Sequence, residues 1–233
     1  MATDTSFGEV RKFEDFLVTA IADLPEIDTI AVTDTGTTEI RANAADGRIE
    51  ISTGTSDDDD KAGVGFNLNW TAGDGSLKME ARIVLSALTD NRYFVGFGDS
   101  LPVTDETMWD AAADAITIGT QSDSIGIFFD QDATTKNLWC VAANTDTVTV
   151  EKSLGAVYNP VALTPTTLGC YLSLDRKSAV WYVDGVEVHR VDANSTALVG
   201  AVDLVPCVMN YEQGTALDID LDYLYATKGR SAT

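Results

Sequence analysis

Histidine occurs once in this 233-residue chain, at His189, and cysteine three times, at Cys140, Cys170 and Cys207. One imidazole excludes metal centres built from several histidines. No G-x-S-x-G elbow accompanies it, so a Ser–His–Asp nucleophile has no support in the sequence. His189 is expected as an ordinary surface residue on the strand face opposite Trp181. The cysteines are widely spaced, include no C-x-x-C pair and lie in apolar stretches, the pattern of buried free thiols. Basic side chains are scarce: 15 Lys and Arg stand against 37 Asp and Glu, a net charge of −22. Phosphate backbones are held by clustered Lys and Arg, which excludes nucleic acid as a partner, and anionic membrane surfaces with it. No run approaches the roughly 18 apolar residues of a membrane span. Residues 1–10 lack the basic-then-apolar pattern of a secretory leader. Without secretion, the sequons at Asn69 and Asn194 carry no meaning. Neither a P-loop nor a G-x-G-x-x-G fingerprint occurs, so no nucleotide cofactor is expected.

What is present is a dense series of strand-length runs. Residues 29–32, 38–42 and 48–52 read as short strands, with Asp34-Thr35-Gly36 and Asp46-Gly47 as turns between them. Further strands are expected over 63–70, 76–86, 92–98, 115–119, 124–130, 137–143 and 147–152. The turn at 130–136 joins two of these as a hairpin. Residues 157–168, with Pro160 and Pro165, form a crossover. Strands over 199–209, with Pro206 limiting pairing in its middle, and 217–226 end the fold. Residues 10–24 fit either a helical stripe or a first strand at 13–18, and the strand is preferred. One short helix is expected at 105–114, capped by Thr104 or Asp105 and packed through Met108, Trp109, Ala111 and Ala112.

The clearest stretch is 169–191. Asp184-Gly185 is a type I′ hairpin signal, because both central residues need φ > 0. A two-residue loop there pairs Val183 with Val186 and Trp181 with Val188. The run Asp175-Arg176-Lys177-Ser178 closes a second hairpin, setting Leu174 against Ala179 and Leu172 against Trp181. Alternation then puts Leu172, Leu174, Ala179, Trp181, Val183, Val186 and Val188 on one apolar face that needs a second sheet over it. Tyr171, Ser173, Val180, Tyr182, Glu187 and His189 take the other.

The strand, turn and W-Y-V-D-G-V-x-V pattern of this stretch resembles the central hairpin of concanavalin A-like and laminin G-like jelly-roll domains. Residues 13–18, followed by an acidic, Thr-rich stretch, are similar to jelly-roll virion proteins of tailed phages, notably capsid decoration proteins of marine phages. Strand runs at this density, with almost no helix, indicate an all-β fold, a two-sheet antiparallel β-sandwich over residues 13–226, and the resemblance implies the same fold. The small, polar N-terminal residues (1–12) are expected as an arm and the small, basic residues 227–233 as a C-terminal tail.

Four groups of residues are candidates for chemistry. Asp218, Asp220 and Asp222 alternate along one strand face, as acidic triplets do in some jelly-roll glycoside hydrolases. Those enzymes place Glu at the outer positions and the motif in mid-chain, so a solvated face is preferred here and no catalytic residue is assigned. Asp57, Asp58, Asp59 and Asp60, with Asp130 and Asp132 as a second pair, are the candidates for Ca²⁺. Adjacent carboxylates cannot all converge on one ion, and EF-hand spacing is absent, so no cofactor is expected. Tyr171, Tyr182 and Tyr93 are candidate contacts for a glycan or a protein, since exposed tyrosines serve both.

The sequence therefore predicts a non-enzymatic virion structural protein, a capsid decoration protein at the capsid surface. It would be assembled in the host cytoplasm as a homo-oligomer on a major capsid protein. A carbohydrate-binding module on the same fold is the alternative, and a glycoside hydrolase comes third.

Overall fold

A computed structural model describes residues 3–5, 9–17, 20, 23–24, 27–32, 36–41, 47–54, 60–66, 70–89, 91–100, 107–119, 121–213 and 217–229. Among the described residues nineteen strands, β1 to β19 in chain order, build two large antiparallel sheets and one separate hairpin. The first sheet runs β1 (Thr3–Thr5), β2 (Glu9–Glu14), β19 (Asp218–Gly229), β8 (Leu77–Leu85), β15 (Thr166–Leu172), β16 (Ala179–Val183), β17 (Val186–Val191). On this sheet β5 (Ile49–Ser52) pairs the start of β19, and β4 (Thr37–Ile40) flanks β5. The second sheet runs β14 (Thr147–Ser153), β13 (Trp139–Asn144), β12 (Ser124–Asp130), β9 (Asn91–Gly98), β18 (Asp203–Glu212), β6 (Lys61–Phe66), β3 (Ile27–Val32). A short β7 (Trp70–Thr71) pairs the start of β18. The hairpin is β10 (Trp109–Ala112) with β11 (Ala115–Ile118).

Alternation along the strands builds the core. From the first sheet, Met79, Ala81 and Ile83 of β8, Leu168 and Cys170 of β15, and Ile219, Leu221 and Leu224 of β19 point inward. Tyr93, Val95 and Phe97 of β9 and Ile125, Ile127 and Phe129 of β12 meet them from the second. Trp181 is fully buried at the seam, and its indole N–H donates to the carbonyl of Gly126 across the sandwich at 2.8 Å. This bond satisfies the one polar atom of a large buried ring. All three cysteines are free and buried, as the sequence predicts, and burial pushes each thiol up.

The second sheet is buried on its outer face as well. Phe94, Phe128, Val141, Cys207, Met209 and Tyr211 form a second apolar cluster there, roofed by Met108, Trp109, Ala111 and Ile116. This roof corrects the helix expected at 105–114: from Trp109 onward the segment is a hairpin, and Asp105 lies outside the described residues. Trp109 and Ala111 alternate with Asp110 and Ala112, so a strand buries one side, while Ala113 (φ 50°) and Asp114 (φ 70°) supply a tight turn. A 3₁₀ turn, Ala156–Tyr158, lies in the crossover instead.

The register of the 169–191 meander also differs from the expected one. The Asp184-Gly185 turn forms, with φ of 50° and 74°, and Val183 pairs Val186. A bulge between Trp181 and Tyr182 then shifts the ladder, so Trp181 faces His189 rather than Val188. At the other end, Leu172 pairs Ala179 and Cys170 pairs Trp181. The 173–178 loop is stabilised by its own polar groups: the Ser178 N–H donates to Ser173 Oγ, and the Lys177 N–H to Asp175. Leu174 and Val186, expected in the core, are therefore exposed. His189, expected on the surface, is half-buried and stacks on Trp181 with centroids 5.3 Å apart.

The sheet extends past both expected boundaries. Residues 9–12, expected as part of an arm, lie in β2 and pair with β19, which continues to Gly229. The strand expected at 13–18 thus occupies 9–14, as β2, and β1 (Thr3–Thr5) precedes it. Lys12 points inward, buried with its ammonium 5.0 Å from the Phe66 ring centre. Pro206 sits inside β18 but pairs only toward β9, because along β18 the pairing with β7 ends at Leu204 and the pairing with β6 begins at Cys207. Its missing N–H therefore falls in a gap between two neighbours.

Candidate functional site

With the second sheet roofed, the open surface of the sandwich among the described residues is the outer face of the first sheet. Antiparallel register sets its side chains in rows. One row crosses Phe13, Tyr225, Glu80, Gly169, Tyr182 and Glu187 on β2, β19, β8, β15, β16 and β17. The next carries Arg11, Thr227, Lys78, Tyr171, Val180 and Arg190, and a third Tyr223, Arg82 and Thr167. Five aromatic side chains share this face.

They form two groups. Phe13 is 55% exposed and lies 5.7 Å from the Tyr223 ring and 6.4 Å from Tyr225, centre to centre. The Tyr223 hydroxyl donates to Glu80 Oε1 at 2.6 Å. Partial burial, reinforced by that carboxylate, pushes the Tyr223 phenol up to about 12. Burial raises Tyr225 as well. The second group is Tyr171 and Tyr182, both half-exposed. They are diagonal rather than direct cross-strand neighbours, since Tyr171 pairs Val180 and Tyr182 pairs Gly169. Gly169 leaves a gap in the face between Glu80 and Tyr182. With strands about 4.8 Å apart, Tyr225 and Tyr182 stand roughly 14 Å apart on either side of it. A Cβ at Gly169 would come within 2.8 Å of the Met79 carbonyl, so the gap is also fixed by backbone packing.

The other candidates separate. Tyr93 is fully buried in the core, stacked on Phe129 at 5.4 Å, and cannot be a surface contact. The acidic triplet is divided by a bulge between Leu221 and Tyr223. Asp220 lies 3.2 Å from Arg41, which also pairs Glu50, and Asp222 lies 3.0 Å from Arg82. Burial pushes Asp220 up while Arg41 opposes it. Asp220 and Asp222 thus face separate arginines rather than a shared space.

Asp130 is fully buried under nitrogen donors: the Ala111 N–H (3.1 Å), the Asp132 N–H (2.9 Å) and Gln213 Nε2 (2.7 Å). Arg92 Nε adds an ion pair at 3.0 Å without a well-directed N–H. Gln213 also reaches Asp132 at 3.0 Å. Positive and N–H groups thus occupy the places a cation would need. Asp57, Asp58 and Asp59 lie outside the described residues, and Asp60 is buried. Among the described residues no group of three or more His, Cys, Asp or Glu is placed to hold a metal ion, and no helix is long and apolar enough to cross a membrane.

Sequence reasoning found Tyr171 and Tyr182 but missed Phe13, Tyr223, Tyr225 and Glu80. The signal for them was the alternation of Tyr223 and Tyr225 in the last strand, which becomes a site once β2 is known to lie beside it.

The two-sheet architecture is the concanavalin A-like jelly roll, shared with proteins of very different sequence. A protein of unknown function from Shewanella oneidensis MR-1 superposes with a TM-score of 0.64 at 15% identity, covering 100% of this chain and 92% of the other. The Bacillus licheniformis β-glucanase gives 0.57 at 14%, covering 93% and 97%. Peanut lectin gives 0.58 at 14%, covering 97% and 99%. No protein-family model matches the chain, and no curated protein matches it.

Proposed function

We propose that this protein is a non-enzymatic structural protein of a phage virion, a capsid decoration protein seated on the major capsid protein through the outer face of its first sheet. One observation carries the proposal: of the two outer faces, one is roofed by its own hairpin and the other presents Phe13, Tyr223 and Tyr225 beside the N-terminal strand. Tyrosine-rich patches are favoured where two protein surfaces meet. The similarity of the first strand region to decoration proteins of marine phages supplies the partner. The strong negative charge suits the solvent side of a particle by keeping neighbouring copies soluble. Assembly as a homo-oligomer in the host cytoplasm, on the capsid surface, belongs to the same proposal. The test is co-sedimentation with particles stripped of the protein: Phe13→Ser/Tyr225→Ser should lose at least tenfold in occupancy while melting like the wild type. Full occupancy by the double variant would refute the proposed seat.

A second function is favoured by the gap at Gly169. Flanked by Tyr171, Tyr182, Glu80 and Thr167, it offers ring faces and a carboxylate to a sugar, so the same face would take a glycan. The lectin and glucanase likenesses are compatible with that use. A glycan array separates the two functions: saccharide binding lost in Tyr182→Ala, with particle binding retained, supports the second.

A further inference from the structure

One end of the sandwich, closed by the β8–β9 loop, the β12–β13 turn and the crossover, holds a cavity of about 180 Å³. Leu85, Leu88, Phe129 and Pro160 give it an apolar wall, and Tyr93 lines its inner side. Tyr93 is fully buried, and its hydroxyl has no hydrogen-bond partner among the described residues. Stacking on Phe129, with the planes 18° apart, fixes the ring, so the hydroxyl cannot turn out to solvent. Buried hydroxyls are almost always paired, and an unpaired one beside a cavity marks a place for a guest. At the mouth, with its amide turned so that donors meet acceptors, Gln131 donates from its nitrogen to the Leu88 carbonyl (3.0 Å) and accepts at its oxygen from Lys136 Nζ (2.7 Å). This bridge holds an exposed ammonium over the opening.

We propose that this cavity is a binding site for a one-ring aromatic acid carrying a polar group at each end. Its carboxylate faces Lys136, its ring fills the apolar wall, and an acceptor at the far end takes the Tyr93 hydroxyl. The size fits, since an apolar cavity of roughly 150 Å³ holds benzene. The site is independent of the aromatic face of the first sheet, so its test does not depend on the proposed function.

The experiment is calorimetric titration of the full chain with 4-hydroxybenzoate and with benzoate, on wild type and three variants. The wild type should bind 4-hydroxybenzoate saturably, and benzoate about tenfold more weakly, the worth of one hydrogen bond. Tyr93→Phe removes only the unpaired hydroxyl and should fold normally; it should bring 4-hydroxybenzoate down to the benzoate affinity and leave benzoate unchanged. Lys136→Met should weaken both acids, and Leu88→Trp, which fills the mouth, should abolish both. Equal binding of the two acids, an unaltered Tyr93→Phe, or a soaked crystal with only ordered water beside Tyr93 would each overturn the proposal.

Discussion

Tyr223 holds two kinds of information in one side chain. Its hydroxyl is committed to Glu80 and its ring to Phe13, so the same residue organises the open face and reports on it. Its phenol should titrate at about 12, against an ordinary value of 10.0. Because the folded value is the higher one, this group's contribution to stability is lost as pH rises from 10 toward 12. Ultraviolet difference titration of wild type against Tyr223→Phe isolates that one phenol; a midpoint near 10 would dissolve the Tyr223–Glu80 bond. His189 gives the opposite sign. Burial on Trp181, with Lys152 nearby, lowers its basicity below the unfolded value of about 6.5. The unfolded chain then binds the proton more readily, so stability holds above that value and falls as pH drops through it. Urea midpoints between pH 5 and 7 should fall in the wild type and stay flatter in His189→Gln. At this scale Asp184-Gly185 was legible because the backbone itself demands φ > 0 there. Tyr93 was not, because the two residues that follow it, Phe94 and Val95, are both apolar and buried: the second sheet is buried on both faces, and alternation then carries no sign.

The β10–β11 hairpin decides which face of the sandwich is available. Trp109 is fully buried in the roof over Phe94, Phe128 and Met209. Trp109→Ala should cost about 3–5 kcal/mol, read from urea unfolding, and should open the second sheet's outer face. A loss below about 1 kcal/mol would mean that the roof is loosely packed. The sequence of this segment misleads because Met108, Trp109, Ala111 and Ala112 fit one helical turn as well as a strand pair, and short runs do not separate the two periods. The meander shows a second limit. Its turn was readable, but its ladder was not, since a bulge and a polar six-residue loop reset the pairing without an apolar signature. The turn gives a clean test. Beyond its two chain neighbours no atom lies within 4 Å of a Cβ built at Gly185, whose φ is 74°, so Gly185→Ala acts on the backbone alone. It should destabilise by about 1 kcal/mol in the same assay.

For the whole molecule, the two-sheet sandwich followed from the density of strand runs and the near absence of helix, and the fold likenesses agree with it. Which strands adjoin was hidden, because β2 and β19 meet across almost the full length of the chain. That pairing joins Phe13 to Tyr223 and Tyr225, and it changes what an N-terminal truncation does. Removing residues 1–10 takes away part of a sheet strand, including the Val10–Lys228 pair, so it should lower stability as well as binding.

The asymmetry of the two faces is most directly tested by hydrogen–deuterium exchange of the protein bound to particles against the protein free. Protection should appear over β2, the middle of β8 and residues 223–227, with the β10–β11 hairpin unchanged. Protection confined to residues 109–118, with the first sheet exchanging as in the free protein, would contradict the account.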